Sequence, residues 1–260
     1  MLHLLCPKET TEVSYRLNQL KLKMADFMAR RVDRNRFPKV DKTDIINALG
    51  EANGYSTYLE IASGRTGHKF GKISEKIFPG KKRLLYRVSC DYSDGLPLHY
   101  HSDSETGAEL LKDLVDANHC FDVVFVDPHH SYEASKVNID FAYRLIKHGG
   151  VMVIHDVNPP SGKVTGEIFA NKRYWCGQTY QAFLDFIREK TELEYIVVDT
   201  DWGVGIVFSA DGEKPDIKGK LPGKSNIPIP ENPQWNFFHR YRKSLLRLIS
   251  VRKFWHHFVC

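Results

Sequence analysis

Five acidic and histidine side chains follow two apolar segments of the chain, residues 121–126 and 151–154. They are Asp127, His129, His130, His155 and Asp156. Apolar residues at helical spacing separate the two segments, so the region predicts a strand–helix–strand unit. In such a right-handed unit the strands are parallel and end at the same edge of the sheet. Open α/β sheets bind ligands at that edge, so we expect these metal- or proton-binding side chains to converge there.

A turn that contains glycine precedes this unit. Residues 58–62 predict a strand, and the sequence Ser-Gly-Arg-Thr-Gly follows before a helix. Glycines allow a sharp turn and close approach to a ligand, and a helix N-terminus favours an anionic group. The pattern Ala62-x-Gly64-x-x-Gly67 alone also allows a dinucleotide-binding loop that has lost its first glycine.

Further polar residues lie at the ends of the other predicted strands. Glu60, just before the turn, suits a ligand with an ammonium group, and Asp91 at the end of the next strand suits a ribose diol. Asp103 and Ser104 close the third strand, near enough to meet an adenine edge. The segment after Asp91 is short, which leaves the choice between Asp91 and Asp94 open.

Strands and helices alternate from residue 58 to residue 209. This order is typical of a mostly parallel sheet with helices on both faces. Residues 193–199 and 204–209 predict two strands, and their short connection makes them an antiparallel hairpin. We therefore predict an α/β fold of the Rossmann-like, three-layer kind with one reversed strand.

Four parts are expected along the chain: an N-terminal helical segment, an α/β domain, a linker rich in glycine, proline and lysine, and a basic amphipathic helix. In this order they cover residues 1–54, 55–210, 211–233 and 234–260. The amphipathic helix could lie on an anionic membrane surface, or pack on the domain or on a second subunit of a homo-oligomer.

The charge of the chain is concentrated in its last part. Residues 232–260 carry six lysine and arginine side chains and no acid, so the net charge of +5 falls to −1 for residues 1–231. A near-neutral body argues against a nucleic-acid partner. No apolar run reaches the roughly 18 residues that a membrane span needs. The apolar run within residues 1–6 is too short for the apolar region of a signal peptide. We expect a cytoplasmic protein that could be peripheral to the inner face of the membrane.

Two groups of motifs resemble one known family. The sequence YLEIASGRTG resembles the glycine-rich motif of class I S-adenosylmethionine (SAM)-dependent methyltransferases. VDPHHSYE and GGVMVIHDV resemble the subgroup with a VDGxHSYE segment and an HD pair after the fifth strand. The resemblance covers about residues 55–209 and implies a seven-stranded sheet whose last strand is antiparallel. Ala62 and Pro128 depart from the family pattern, which has glycine at both positions.

The resemblance implies roles for most of these residues. Glu60, Gly64 and Gly67 would hold the methionine part of SAM, and Asp91 the ribose. The complete set of implied cofactor-binding residues is Glu60, Ala62, Gly64, Gly67, Asp91, Asp103, Ser104 and Asp127.

Transfer of a methyl group to a hydroxyl requires that the oxygen be positioned and its proton removed. A neutral histidine, with an ordinary pKa near about 6.5, is the natural base. His130, the histidine of the HSYE segment, is our first candidate and His155 the second, with Asp127 beside them. Asp127 and Asp156 could also hold a magnesium ion, although His155 stands where several metal-dependent relatives have an acid.

These motifs favour a SAM-dependent O-methyltransferase that acts on a hydroxyl of a small molecule or sugar, in glycan or natural-product biosynthesis. Two alternatives remain. One is a nicotinamide dinucleotide-dependent oxidoreductase, and the other is a non-catalytic ligand-binding module on the methyltransferase fold. The long segment 158–178, with Tyr174 and Trp175, could cover the acceptor by stacking on its ring.

Overall fold

The computed structural model describes residues 40–63, 70–88, 94–166, 175–212, 215 and 217–259. The helix expected over residues 12–31 lies outside the described residues. So do Gly64, Gly67, Asp91 and Tyr174.

Among the described residues, the helices lie at Lys42–Asn53 (α1), Ala108–Asp116 (α2), Tyr132–Arg144 (α3), Thr179–Glu189 (α4), Trp235–Leu245 (α5) and Val251–Phe258 (α6). The strands lie at Tyr58–Ser63 (β1), Lys82–Tyr86 (β2), Tyr100–Ser102 (β3), Phe121–Asp127 (β4), Ile146–Ile154 (β5), Tyr195–Val198 (β6), Val204–Phe208 (β7) and Leu248–Ile249 (β8).

The eight strands of this part of the chain form one sheet in the order β3-β2-β1-β4-β5-β7-β6-β8. Strands β1 to β5 are parallel, and β7 runs antiparallel to both of its neighbours, β5 and β6. The predicted Rossmann-like α/β fold with a reversed strand is confirmed. The count of seven strands is corrected to eight, because β8 pairs in parallel with β6.

Helices cover both faces of the sheet, because successive side chains of a strand point to opposite faces. Leu59, Ile61 and the residues at equivalent positions of β4 and β5 pack with helices α2 to α5. Tyr58, Val123, Val151 and their neighbours pack with α1 and α6 on the other face. This gives the three layers that the sequence predicted.

The C-terminal region differs from the single amphipathic helix that we expected. Helices α5 and α6 are separated by β8, and Arg247 between them adopts the left-handed conformation with φ +48°. Ser250 then accepts a hydrogen bond from the amide of Lys253 and so begins α6. Helical structure is interrupted at Arg247. This side chain is buried, and its guanidinium donates to Glu194 Oε2 at 2.6 Å and to the Pro222 carbonyl at 2.6 Å.

The apolar side of this region packs on the domain. Phe238, Leu245, Ile249, Phe254 and Phe258 are all buried in the two cores. Their burial favours the packing alternative over insertion into a membrane surface. In the part of the chain that the structure describes, no helix is both long and apolar enough to span a bilayer.

Candidate active site

The ends of β4 and β5 bring the predicted cluster together. Strand alternation places Asp127 and His155 on the sheet face that α1 covers, in line with Val123, Phe125, Val151 and Val153. The two strands pair in parallel, and the amide of His155 donates to the carbonyl of Val126. The convergence predicted from the strand ends is therefore observed for Asp127, His130, His155 and Asp156. The His129 side chain instead lies against Ser131 and the Trp175 ring.

Two further elements reach the same edge. Since β7 runs antiparallel to β5, its first residues lie beside the end of β5, and the β6–β7 turn presents Asp201 to the cluster. Helix α1 begins there too, where the amide of Lys42 donates to Asp201 Oδ2 at 3.1 Å. The sequence analysis did not identify Lys42 or Asp201 as site residues.

Left-handed backbone conformations shape this edge. Asp156, Asp201 and Trp202 have φ of +61°, +44° and +65°. Gly203 follows with φ +93°, and a Cβ there would lie 2.4 Å from Asn158. Non-glycine residues in this region each cost about 1–3 kcal/mol, so the surrounding contacts must hold them in place.

His155 is buried and surrounded by charged groups. Its Nδ1 lies 3.2 Å from Asp127 Oδ1 and 3.3 Å from Asp156 Oδ2, and its Nε2 lies 3.5 Å from Asp201 Oδ2. Burial lowers the pKa of His155, but the three carboxylates, Asp156 foremost, raise it well above the ordinary value. This enclosure favours a structural role for His155 over that of a base that accepts a proton from a substrate.

His130 has a more open position, with 19% of its side chain exposed. Its Nε2 lies 3.1 Å from Asp156 Oδ2 and 3.6 Å from Asp127 Oδ1. Its Nδ1 is hydrogen-bonded to the carbonyl oxygen of Trp175. A carbonyl only accepts, so Nδ1 carries a proton and Nε2 is the nitrogen that can gain or lose one.

Asp127 and Asp201 remain ionised. Burial acts to raise the pKa of Asp127, but the charges of Lys42 and His155 hold it well below the ordinary value. The pKa of Asp201 is likewise lowered against its burial, mainly by His155. His130 therefore faces carboxylates that stabilise its protonated form, and its pKa is raised although burial acts to lower it.

Lys42 is the buried cation of this site. Its Nζ lies 3.0 and 3.1 Å from the two ring nitrogens of His155, 3.4 Å from Asp127 Oδ2 and 3.8 Å from Asp201 Oδ2. Burial lowers the pKa of Lys42, but Asp127, Asp201 and Asp156 together raise it above the ordinary value. The side chain is therefore an ammonium at neutral pH.

Asp127, His130 and Asp156 each offer a ligand atom, and these atoms lie within 4.8 Å of one another. A group that could hold an ion is thus present, as predicted for Asp127 and Asp156. However, Mg²⁺ prefers oxygen ligands over imidazole. Lys42 and His155 already supply positive charge to Asp127. As arranged here, the residues do not fit magnesium.

Glu60 is buried on the same sheet face, and its Oε2 accepts a hydrogen bond from the Tyr58 hydroxyl at 3.2 Å. Among the described residues, no cation lies within ion-pair distance of it. Burial, followed by the charge of Asp127, raises the pKa of Glu60 to about 8. A buried carboxyl of this kind can form an ion pair with the ammonium group of a ligand.

The other predicted cofactor residues have different surroundings. Asp94 forms a bidentate ion pair with the buried Arg83, at 2.7 and 2.9 Å. This structural role favours Asp91 over Asp94 for the ribose. Ser104 Oγ accepts from the amide of Gly107 at the start of α2, and Asp103 is exposed. Ala62 pairs with Asp127 across β1 and β4, at the edge where the cluster lies.

Aromatic and thiol groups border His130. The ring of Trp175 lies 5.1 Å from that of His129 and 5.3 Å from that of His130. Next to it lies the buried Cys176. Burial, followed by the charge of Asp156, raises the pKa of its thiol well above the ordinary value. The segment that follows β5 thus returns to the site at Trp175, as the sequence suggested.

Comparison with protein families identifies the region that carries this site. Residues 45–157 match a family described as a methyltransferase domain. The predicted resemblance to SAM-dependent methyltransferases is confirmed over this region. The subgroup with the VDGxHSYE segment stays a prediction. No curated protein sequence matches the chain.

Solved structures to which the chain is similar include three methyltransferases. A putative caffeoyl-CoA O-methyltransferase from Staphylococcus aureus is 16% identical with a TM-score of 0.47, over 77% of this chain and 99% of that chain. TomG from Streptomyces achromogenes, in complex with SAM, is 16% identical with a TM-score of 0.48, over 71% and 89%. MycE from the mycinamycin pathway, in complex with Mg, SAH and mycinamycin VI, is 17% identical with a TM-score of 0.46, over 70% and 54%. No functional assignment of this chain rests on similarities of this size.

Proposed function

We propose that the methyltransferase domain of this protein transfers the methyl group of SAM to a hydroxyl of a small molecule or sugar. One observation supports this most strongly. His130 presents a titratable Nε2 to Asp127 and Asp156 at the carboxyl edge of the sheet, with its other nitrogen fixed by the Trp175 carbonyl. A histidine held in this way can remove the hydroxyl proton during methyl transfer.

The proposed reaction is an in-line displacement. The acceptor oxygen forms a bond to the methyl carbon as the carbon–sulfur bond of SAM breaks, and the hydroxyl proton passes to His130 Nε2. Asp156 and Asp127 stabilise the imidazolium that forms, because both carboxylates lie within 4 Å of that nitrogen. His130 must begin the reaction as neutral imidazole, so the reaction should be faster above its raised pKa.

The cofactor would lie along the ends of β1, β2 and β3. Glu60 would bind its ammonium group, Asp91 its ribose, and Asp103 and Ser104 its adenine, while Gly64, Gly67 and Ala62 let the backbone approach. This placement brings the sulfonium beside Asp127 and His130, since Ala62 and Asp127 are paired residues of adjacent strands.

The acceptor would lie beside the rings of His130 and Trp175, which are in contact with each other. The half-buried rings of Trp175 and His129 form an aromatic wall that suits the face of a sugar or an aromatic ring. An aromatic wall of this kind is compatible with a role in glycan or natural-product assembly. Identification of the acceptor would test that role.

A methyl-transfer screen tests the proposal. The purified full chain is incubated with radiolabelled SAM and panels of hydroxylated sugars, phenols and glycans, and methyl uptake is measured. We expect uptake on an acceptor hydroxyl. Uptake only on nitrogen or sulfur would contradict the O-methyltransferase assignment, and NAD-dependent oxidation without methyl uptake would favour the oxidoreductase.

A further inference from the structure

The acid cluster contains a cation that belongs to the chain itself. Lys42 Nζ lies within 4 Å of Asp127, Asp201 and both ring nitrogens of His155. Only 6% of this side chain is exposed. No other lysine or arginine forms an ion pair with Asp127 among the residues that the structure describes.

The position of Lys42 is unfavourable without these partners. It is the first residue of α1, where the helix dipole disfavours a cation, and a buried ammonium loses its hydration. The capping box formed by Asp41 and Asp44 fixes this end of the helix and hence the origin of the side chain. The carboxylates of the cluster must therefore neutralise the charge of the Lys42 ammonium. They cannot neutralise a second strong cation equally well.

The oxygen atoms that a metal would need already face nitrogen atoms of the chain. Asp127 Oδ1 faces His155 Nδ1 at 3.2 Å, and Asp127 Oδ2 faces Lys42 Nζ at 3.4 Å. Asp156 Oδ2 faces His130 Nε2 at 3.1 Å and His155 Nδ1 at 3.3 Å. A divalent ion at Asp127 would displace these contacts and repel the nearby ammonium.

We infer that the Lys42 ammonium takes the place of a divalent metal ion beside Asp127, so that this cluster functions without bound metal. Lys42 is a positioning residue in this account: it orients Asp127 and His155 and so helps to keep Asp127 available to His130. Its part in methyl transfer rests on the proposed function, whereas the exclusion of metal does not.

Direct metal binding tests this inference without SAM or an acceptor. The full chain is treated with chelator, dialysed and titrated with Mn²⁺, and free Mn²⁺ is followed by electron paramagnetic resonance. Lys42→Met removes the positive charge but keeps a side chain of similar length, and Lys42→Arg keeps the charge. Lys76→Met, which removes an exposed lysine, is the control.

The parent, Lys42→Arg and Lys76→Met proteins should show no stoichiometric Mn²⁺ binding. Lys42→Met should bind one Mn²⁺ at least about tenfold more tightly, because the repulsion is gone. Adding Asp156→Asn to Lys42→Met should abolish that binding. Circular dichroism checks that each variant is folded.

Two outcomes would overturn the inference. One is tight binding of one Mn²⁺ by the parent that Asp156→Asn removes. The other is a folded Lys42→Met protein that binds Mn²⁺ no better than the parent. If Lys42→Met does not fold, the parent titration still decides whether the cluster takes a metal. Failure of the methyl-transfer screen would leave these results unchanged, so the two proposals fail separately.

Discussion

His130 and His155 are chemically identical side chains in very different surroundings. His155 is enclosed by three carboxylates and an ammonium, whereas His130 is partly open and touches the Trp175 ring. This difference separates an enclosed structural histidine from one that can exchange a proton with an acceptor. It supports His130 as the base and leaves His155 a positioning role.

Replacing His130 by alanine tests this distinction. General base catalysis contributes about 10²–10⁴-fold, so we expect kcat to fall by at least about 100-fold while SAM affinity stays within about twofold. Steady-state kinetics on an identified acceptor and calorimetry with SAM measure the two quantities. His148→Ala, which changes an exposed histidine near the other end of β5, is the matched control and should keep most of its activity. A His130→Ala enzyme as fast as the parent would refute the assignment.

The raised pKa of Glu60 predicts a pH dependence of cofactor binding. Below its pKa of about 8, Glu60 is protonated in the free protein and must lose its proton to pair with the ammonium of SAM. SAM affinity should therefore increase from about pH 6 to pH 7.5, before the α-ammonium itself deprotonates near about pH 8.

Calorimetry in buffers of different ionisation enthalpy would detect the proton released on binding. Glu60→Gln should weaken binding and remove this release, since glutamine has no titratable group. Equal proton release by the parent and the variant would show that Glu60 does not pair with the ammonium.

Sequence reasoning found Asp127, His130 and Asp156 because parallel strand ends must meet at one edge. It missed Lys42 and Asp201, which are separated by 159 residues and meet only through tertiary packing. A lysine at the start of a helix and an acid in a hairpin turn are ordinary surface features in a sequence. Their burial together could not be read from either segment alone.

At the scale of elements, the β6–β7 turn and the segment after β5 are built against each other. The amide of Asn158 donates to the Trp202 carbonyl at 2.8 Å, and the amide of Val157 donates to the Gly203 carbonyl at 3.3 Å. These bonds position the segment that follows His155 and Asp156. The hairpin was predicted from its short connection, but its contribution to the site depends on the antiparallel pairing of β5 with β7.

Gly203→Ala tests this coupling between elements. The added Cβ would clash with Asn158, and alanine rarely adopts the φ of this position. We therefore expect the free energy of unfolding to fall by about 1–3 kcal/mol. Activity should fall by a larger factor than the affinity for SAM. Urea unfolding and kinetics measure these effects. Gly223→Ala, where a Cβ meets no atom within 4 Å, is the control. Equal behaviour of the two variants would show that the turn does not position the site.

At the scale of the whole molecule, the C-terminal region is part of the domain and completes its sheet. The periodicity of residues 235–259 predicted helix throughout, because two strand residues are too few to show a pattern. The burial of the apolar side of this region also depends on β6, because Leu248 of β8 pairs with Val197 of β6, which lies much earlier in the chain. The exposed basic residues of this region form its outer side.

Truncating one aromatic side chain tests this integration. Phe254 is fully buried against the sheet, so Phe254→Ala should reduce the free energy of unfolding by about 3–5 kcal/mol in a single transition. His256→Ala, on the exposed side of the same helix, should change it little. Separate unfolding of the C-terminal region, with the main transition unchanged, would show that it is an independent appendage.

Calorimetry of the full chain with SAM and with NAD can decide which cofactor the domain binds, because it requires no knowledge of the acceptor. We expect that one molecule of SAM binds per chain, that Glu60→Gln weakens this binding, and that NAD does not bind. Binding of NAD without binding of SAM would contradict this expectation.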